Sequence, residues 1–177
     1  AWGLAIDASA PRKAPNVGMK PYLLVTGDFR KIGGMDRANY ALAEHIADLG
    51  HEVHLVAYQI HGDLLGKPNV FGHIVPKICG SYFLSGPLLD RIGRYWAARI
   101  ARRGGRVIVN GGSCLWGDVN WVHYVHAAYE PDGSVNPIRR LKAYLSRRAF
   151  LAEEKRALTL ARIIISNSKR TTRDLME

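Results

Sequence analysis

Two pairs of glycines occupy positions in this sequence that suit the binding of a phosphate or a sugar. Gly33 and Gly34 lie in a polar loop between an apolar run and a helical pattern, and Gly111 and Gly112 directly follow another apolar run. Glycine lets a ligand approach the backbone closely, and a helix N-terminus offers free N–H groups. Arg37, at the start of the helix, could face a phosphate or simply lie in solvent. The glycines could equally serve only to turn the chain.

One histidine, His126, stands at the end of an alternating segment over residues 121–127. An imidazole there could hydrogen-bond a sugar hydroxyl or stabilise a developing charge. The alternative is a buried or surface histidine without a chemical role. Alternation places His123 on the opposite face of the strand. Asp28 and Asp118 are further candidate carboxylates, but they form no pair that indicates a hydrolase.

Metal and disulfide chemistry are not expected. The other histidines lack the spacing of a metal site, and the two cysteines, Cys79 and Cys114, lack the pairing of a zinc site or a disulfide framework. No apolar run reaches the roughly 18 residues that span a bilayer. The first residues lack the basic flank of a signal peptide. These features predict a cytoplasmic protein.

The chain is strongly basic, with 25 Lys and Arg against 15 Asp and Glu and a formal charge of +10. Much of this charge falls in two predicted helices, where aromatic residues accompany it. Basic amphipathic helices with aromatic residues are typical of binding to anionic lipid, although an ordinary solvated face is an equal alternative. No motif for nucleic acid accompanies the charge, so we expect no nucleic-acid partner. The arginines of the expected surface are Arg91, Arg94, Arg102, Arg103, Arg139, Arg140, Arg147 and Arg148.

Alternating strand and helix patterns must position these residues. The chain has 177 residues, of which 47% are apolar and 23% charged, a composition that fits one globular domain. The pattern predicts a doubly wound α/β fold with a mainly parallel sheet. Residues 1–18 read as a flexible extension and 19–177 as the domain. The predicted strands cover about 22–25, 53–57, 70–75, 106–110, 121–127 and 163–165, and the predicted helices 35–49, 87–103, 137–160 and 169–174. A polar loop is predicted over residues 27–34, Gly50 is expected to end the first helix, and Ser168 could cap the last one.

Two stretches of the sequence resemble family 4 glycosyltransferases. The residues Ile32-Gly33-Gly34-Met35-Asp36-Arg37-Ala38 and Leu49-Gly50-His51-Glu52-Val53 are similar to the family's "GG-M-E-R" helix start and its "L-A-x-G-H-E-V" segment. Asp36 stands where the family commonly has Glu. Residues 161–175 resemble the family's "A-D-x-V-I-x-x-S-x-x-x-x-x-D-L". The resemblance covers nearly all of residues 20–177.

The resemblance implies that this chain is the N-terminal, Rossmann-like half of a GT-B architecture. Such a half receives the acceptor, while a second domain binds the donor nucleotide-sugar, so a C-terminal domain or a partner subunit is expected. The family implies retention of anomeric configuration without a metal or other cofactor. His126 would contact the transferred sugar, and Gly33, Gly34, Arg37, Gly111 and Gly112 would bind the acceptor or a phosphate. The basic surface would hold a lipid-linked or polysaccharide acceptor at a membrane face.

Two other classes of protein remain as alternatives. A non-catalytic basic α/β module could bind a nucleotide, a phosphorylated ligand or RNA. A different Rossmann-like enzyme is disfavoured, because the sequence lacks the G-x-G-x-x-G fingerprint and the acidic residue that binds ribose. Fold analogy alone does not fix the chemistry.

Overall fold

The structure, a computed structural model, describes residues 19–123, 125 and 137–176. The extension expected over residues 1–18 lies outside the described residues. The strands are β1 (Tyr22–Val25), β2 (Asp28–Phe29), β3 (Val53–Ala57), β4 (Gln59–Ile60), β5 (Val70–Ile74), β6 (Arg106–Val109), β7 (Val119–Val122) and β8 (Ile163–Ser166). The helices are α1 (Met35–Asp48), α2 (Gly62–Leu65), α3 (Tyr82–Arg102), α4 (Pro137–Leu160) and α5 (Lys169–Met176).

Six of these strands form one parallel sheet in the order β5-β3-β1-β6-β7-β8. The chain begins in the middle at β1, moves outward through β3 to β5, and then returns to the other side of β1 with β6. This order confirms the predicted doubly wound α/β fold. Because the direction of winding reverses between β1 and β6, the carboxyl ends of these strands open a crevice in which ligands bind in such sheets.

Helices cover both faces of the sheet and bury two apolar clusters. On one face α1 contributes Tyr40, Ala43 and Ile46 to a cluster with residues of β1 and β3. On the other face α3 contributes Leu89, Ala97 and Ile100 to a cluster with β1, β3 and β6. Burial on both faces explains why the central strands are continuous apolar runs.

The ends of α1 and α5 follow from their capping residues. Gly50 lies just after α1 in the left-handed region, with φ of +88°, and this confirms its predicted role as a helix stop. The Ser168 side chain accepts a hydrogen bond from the Thr171 N–H at 3.0 Å, which confirms the predicted cap of α5.

The polar loop predicted over residues 27–34 contains a short strand instead. Strand β2 pairs in parallel with β4 to form a separate two-stranded sheet. Phe29 explains the difference, because its side chain is fully buried in the α1-side cluster. Burial of this ring fixes the direction in which the loop leaves β1.

Helix α3 begins at Tyr82, five residues before the predicted start at Pro87. The Ser81 side chain caps the first turn by accepting from the Leu84 N–H at 3.4 Å. The Ser85 hydroxyl donates to the Ser81 carbonyl at 2.8 Å and accepts from the Ile78 N–H at 2.7 Å. These bonds stabilise the first turn of α3, although Pro87 disfavours a helical turn before it.

Strand β7 begins two residues before the strand predicted over residues 121–127, of which residues 124, 126 and 127 lie outside the described residues. Strand β7 covers Val119–Val122, and His123 is in a bend. Strand β8 pairs with β7 and forms an edge of the main sheet. Its isoleucines, Ile163, Ile164 and Ile165, are each about half exposed.

Candidate functional site

A cleft of about 480 Å³ opens at the carboxyl ends of β1, β3 and β6. It lies at the point where the winding of the sheet reverses, between α1, the start of α3 and the middle of α4. Its described lining combines carboxylates, tyrosines and glycines with a few apolar side chains. The lining residues are Gly27, Asp28, Arg30, Met35, Asp36, Tyr58, Tyr82, Gly86, Leu89, Asn110, Gly111, Gly112, Ser113, Phe150, Glu153 and Glu154.

Buried amide side chains connect the elements that surround this cleft. The Asn39 amide of α1 donates to the Thr26 hydroxyl at 3.0 Å, and its oxygen accepts from the Asn110 amide at 3.3 Å. The Asn120 amide at β7 donates to the Gly111 carbonyl at 3.0 Å. These side chains are at most 9% exposed, so the hydrogen bonds satisfy interior polar atoms, although Asn120 Oδ1 has no hydrogen-bond partner among the described residues. They fix α1 and the segment after β6 relative to β1.

Asp28 is the most deeply buried carboxylate of the cleft. It is only 2% exposed, and its Oδ2 accepts a hydrogen bond from the Tyr82 hydroxyl at 2.6 Å. The Arg30 guanidinium lies 3.7 Å from the same oxygen. The other oxygen, Oδ1, has no hydrogen-bond partner among the described residues. An interior carboxylate oxygen without a hydrogen-bond partner is uncommon in folded proteins.

Arg30 is bound mainly by Asp36, in the first turn of α1. Its Nε donates to Asp36 Oδ2 at 2.8 Å, and its Nη2 bonds to the same oxygen. The hydrogen bond to Asp36 raises the pKa of Arg30 above its ordinary value. A carboxylate in a first helical turn also interacts favourably with the helix dipole. The pair therefore occupies the side of the α1 N-terminus that faces the cleft.

Two tyrosines form one wall of the cleft. The rings of Tyr58 and Tyr82 meet edge to face, with centroids 5.4 Å apart. Lys77 places its ammonium group 3.6 Å from the centre of the Tyr82 ring. Burial, with smaller contributions from Tyr82 and Asp28, raises the pKa of Tyr58 to about 12. Tyr58 is thus a neutral phenol at physiological pH.

Helix α4 closes the opposite side of the cleft against Gly111 and Gly112. Gly111 has φ of +51°, a conformation that favours glycine. A Cβ atom on Gly112 would lie 3.2 Å from the Glu154 backbone nitrogen. These two glycines therefore lie close to α4 and also line the cleft. Burial raises the pKa of Glu153, and Asp90 adds to the shift.

Gly33, Gly34 and Arg37 are exposed at the N-terminal end of α1. Gly33 has φ of +80°, and Gly34 is the N-cap of α1 without a side-chain cap. These three residues are not among the described residues that line the cleft. The structure thus separates the two glycine pairs. Gly111 and Gly112 line the cleft, whereas Gly33 and Gly34 are exposed at the N-terminus of α1.

His126 lies outside the described residues, whereas His123 directly follows the carboxyl end of β7. The His123 ring is tilted against Trp121 with centroids 4.4 Å apart, and its Nδ1 lies 3.2 Å from the Asn167 amide nitrogen. Its Nε2 is buried without a hydrogen-bond partner among the described residues. Burial lowers the pKa of His123, and Asp36 opposes the shift. The alternation pattern assigned no role to His123, although its position next to a strand end could have indicated one.

Asp118, the other candidate carboxylate, has a structural role at the amino end of the sheet. Its Oδ2 accepts from the Val107 N–H at 3.0 Å, and its Oδ1 accepts from Arg106 at 3.2 Å. The cleft lies at the carboxyl ends of the strands, which is the opposite edge of the sheet. Asp118 therefore joins β6 to the segment before β7 and does not line the cleft.

The expected basic surface on α3 contains paired and unpaired arginines. Arg94 lies 2.9 Å from Asp90, and Arg103 donates to both oxygens of Glu52 at 2.5 and 2.8 Å. Arg91 is exposed and has no ion-pair partner among the described residues. Arg102 is also exposed, and its Nε donates to the Ala98 carbonyl at 3.2 Å.

Helix α4 meets the start of α3 at one aromatic contact and carries the second basic cluster. Phe83 of α3 and Phe150 of α4 meet edge to face at 5.9 Å. Arg148 is exposed beside the Tyr144 ring, and Arg147 is half-buried. The side chains of Arg139 and Arg140 lie outside the described part of α4. The two basic helices therefore contact each other at the Phe83–Phe150 pair.

The fold and the cleft together define a class of protein. A doubly wound parallel sheet with a cleft at its switch point is the Rossmann-like arrangement of one half of a GT-B architecture. The sequence profile described as Glycosyltransferase Family 4 matches residues 32–177, which is most of the chain. The chain therefore belongs to glycosyltransferase family 4, as its motifs indicated. No curated protein and no solved structure matches it.

Neither a membrane-spanning helix nor a metal-binding cluster occurs among the described residues. No helix there is long and apolar enough to cross a membrane. Three or more metal-binding side chains do not come together in the same described ranges.

Sequence reasoning missed the roles of several cleft residues. Asp28 was a candidate carboxylate, but its burial and its contact with Tyr82, 54 residues away, have no local signal. Glu153 and Glu154 lie in a charged helical stretch that resembles an ordinary solvated face. Only the packing of α4 against Gly112 places them at the cleft.

Proposed function

We propose that this chain is the acceptor-side domain of a retaining glycosyltransferase that moves a sugar from a nucleotide-sugar to a hydroxyl of a lipid-linked or polysaccharide acceptor. The observation that carries the proposal is the cleft at the β1–β6 switch point, lined by carboxylates, tyrosines and glycines, in a chain of family 4. Carboxylates and phenols hydrogen-bond hydroxyl groups, and a concave site of this size suits a small ligand. The cleft therefore supports binding of a sugar hydroxyl.

In this proposal a second, donor-binding domain or subunit completes the site. The acceptor oxygen forms a bond to the anomeric carbon, while the bond from that carbon to the diphosphate breaks and the acceptor proton leaves with the diphosphate product. Negative charge develops on the diphosphate, and N–H groups stabilise such charge. The exposed backbone of Gly33 and Gly34, at the N-terminus of α1, and the nearby Arg37 are suited to this role. No metal is assigned.

His126 is proposed to contact the transferred sugar, as the family resemblance implies. Substitution His126→Ala in the full-length protein should lower the rate of transfer about 10²-fold or more. Nucleoside diphosphate release from a panel of nucleotide-sugars measures this rate, and circular dichroism checks the fold. His45→Ala, at an exposed position of α1, is the matched control. Unchanged turnover by a folded His126→Ala protein would remove the proposed role.

The basic side of α3 and α4 is proposed to hold the domain at an anionic membrane face. Each arginine near such a surface contributes about 1 kcal/mol, so Arg91→Gln with Arg102→Gln should weaken binding to phosphatidylglycerol vesicles by about 25-fold. Lys20→Gln with Lys169→Gln removes the same charge elsewhere and should have a much smaller effect. Sedimentation with vesicles at low and high salt measures the binding.

Two results would contradict the membrane proposal. Equal, negligible binding to phosphatidylglycerol and phosphatidylcholine vesicles would remove it. Tight RNA binding with a steep salt dependence, in a protein that consumes no nucleotide-sugar, would favour the non-catalytic binding module instead.

A further inference from the structure

A short uncharged stretch interrupts the basic sequence where α3 begins. Residues 78–89 contain no Asp, Glu, Lys or Arg, although the chain as a whole carries a charge of +10. In the first part of this stretch, Ile78, Tyr82, Phe83 and Leu84 are between 36% and 49% exposed. Ile78 and Leu84 belong to neither of the two apolar clusters. Residues 78–84 therefore form an exposed apolar segment, a feature that marks a site of interaction with a protein or a membrane.

The apolar segment lies at the rim of the cleft. Tyr82 belongs to the segment and also lines the cleft, where its hydroxyl donates to Asp28 at 2.6 Å. Phe83 meets the ring of Phe150, another lining residue, edge to face at 5.9 Å. Whatever covers the segment therefore also lies beside the mouth of the cleft.

Cations border the apolar segment on both sides. Lys77 directly precedes it, with its ammonium group 3.6 Å from the centre of the Tyr82 ring. Arg91 follows Leu84 by seven residues, which places both on one face of α3. Arg91 is exposed and has no ion-pair partner among the described residues. Aromatic and aliphatic side chains bordered by cations complement the acyl boundary and the anionic headgroups of a bilayer.

The small size of the segment favours lipid over a protein partner. A stable protein interface takes about 20–30 residues from each side, whereas this segment has seven. Lipid chains adapt to a narrow apolar protrusion, and the flanking Lys77 and Arg91 then meet the headgroups. The partner that this surface fits best is therefore an anionic bilayer.

We infer that residues 78–84 insert into the headgroup and acyl boundary of an anionic membrane and hold the mouth of the cleft at the lipid surface. This inference rests on the proposed function, and it names the membrane-embedded partner of the acceptor side. The hydroxyl of a lipid-linked acceptor reaches the cleft while its lipid chain stays in the bilayer. Of the two proposed acceptor classes, the acceptor is therefore the lipid-linked one.

The first test removes apolar surface from the segment. Ile78→Ser with Leu84→Ser should weaken binding of the full-length protein to phosphatidylglycerol vesicles about 25-fold, because two half-exposed side chains lose their contact with the acyl chains. The loss should persist at high salt, which does not screen apolar contacts. The effect of replacing Arg91 and Arg102 by glutamine should instead decline at high salt. Sedimentation with vesicles measures both effects, and circular dichroism checks the fold.

Leu49→Ser with Leu160→Ser is the matched control for this test. Leu49 directly follows α1 and is 55% exposed, and Leu160 ends α4 and is 53% exposed. Both precede strands and so lie at the amino edge of the sheet, opposite the cleft. This variant removes similar apolar surface and should bind vesicles like the wild type. Wild-type binding by a folded Ile78→Ser, Leu84→Ser protein, or an equal loss in the control, would overturn the inference.

A dye at Cys79 reports whether the segment enters the bilayer. Cys79 lies within the segment and is exposed, whereas Cys114 is buried, so a thiol-reactive NBD dye labels Cys79 selectively in the folded protein. Nitroxide groups on the lipid acyl chains should quench this dye when vesicles are added. The same dye at Leu49→Cys, in a Cys79→Ser protein, should not be quenched. Absence of quenching at Cys79, in protein that sediments with the vesicles, would contradict insertion.

The outcomes separate this inference from the proposed function. Insertion by a protein that uses no nucleotide-sugar would remove the proposed enzyme and leave the membrane segment. Transfer to a soluble polysaccharide, by a protein whose Cys79 dye is not quenched, would support the enzyme and overturn the inference. Dye fluorescence that changes with protein concentration in the absence of lipid would assign the segment to a contact between copies of the chain, and it would also overturn the inference.

Discussion

His54 and His73 belong to a chain of polar contacts at one side of the main sheet. Arg103 bonds Glu52, Glu52 lies 2.8 Å from His54 Nε2, and His54 Nδ1 lies 2.9 Å from His73 Nε2. The His73 ring stacks on Trp96 with centroids 3.7 Å apart. Burial lowers the pKa of both histidines, that of His73 to about 4, and His54 contributes to the shift of His73. Both imidazoles are therefore neutral in the native protein at pH 7.

The neutral histidines of these polar contacts predict that the protein loses stability in mild acid. Between pH 6.5 and 4 the unfolded chain binds protons at His73 that the native state excludes, so the free energy of unfolding falls as the pH falls through this range. The loss at pH 5 should be about 1 kcal/mol, since His73 is only half-buried. Urea unfolding at pH 7 and pH 5 measures it.

A glutamine substitution tests whether His73 causes this loss. His73→Gln removes the titrating ring and retains a group that can bond His54, so the difference between pH 7 and pH 5 should become smaller. His45→Gln, at an exposed position, should leave the difference unchanged. An unaltered pH dependence in His73→Gln would assign the loss to other groups.

At the scale of elements, the start of α3 depends on Ser85. Its hydroxyl bonds the Ser81 carbonyl and the Ile78 N–H, and it is fully buried. Ser85→Ala should therefore lower the free energy of unfolding by about 1–2 kcal/mol. Because this turn places Tyr82 against Asp28, the amides of residues 82–84 should also exchange hydrogen faster.

Thr159→Ala is a suitable control for the Ser85 prediction. The Thr159 hydroxyl also donates to a carbonyl four residues earlier, that of Lys155 at 2.8 Å, but it is exposed. Its loss should change the free energy of unfolding by less than about 0.5 kcal/mol. Equal effects of the two substitutions would show that burial of Ser85 contributes nothing.

At the scale of the whole molecule, the two apolar clusters share the central strands. Leu55 belongs to the α1-side cluster and Ile100 to the α3-side cluster, and each is at most 1% exposed. Leu55→Ala and Ile100→Ala should each lower the free energy of unfolding by about 3 kcal/mol. Since β1 contributes to both clusters, this domain should unfold in one transition.

Two optical probes test the single transition. Circular dichroism follows the helices, and the fluorescence of Trp96 follows the α3 side of the sheet when the other three tryptophans are replaced by phenylalanine in every protein compared. Both should give the same midpoint in urea for the wild type and for each variant. Separate midpoints in Leu55→Ala, with the α3 side retained, would instead show that the two faces unfold independently.

The sequence by itself determined the order and type of the main elements. Apolar runs such as Tyr22–Val25, the helical spacing in α1 and the stop at Gly50 are local signals, and each was confirmed. The family motifs are local in the same sense, because residues 32–38 and 49–53 lie at the two ends of one helix, α1. The doubly wound fold followed from these signals together, since alternating strands and helices admit few topologies.

Only the tertiary structure decided the composition of the candidate site. Asp28, Tyr82 and Glu153 come from segments far apart in the chain. The packing of α4 places part of its charged face along the cleft. Asp118, which looked like Asp28 in the sequence, lies at the opposite edge of the sheet. A residue's type is set locally, whereas its partners, burial and electrostatic surroundings depend on contacts between distant segments. For that reason the sequence predicted a basic protein, and only the fold brought several carboxylates together in one cleft.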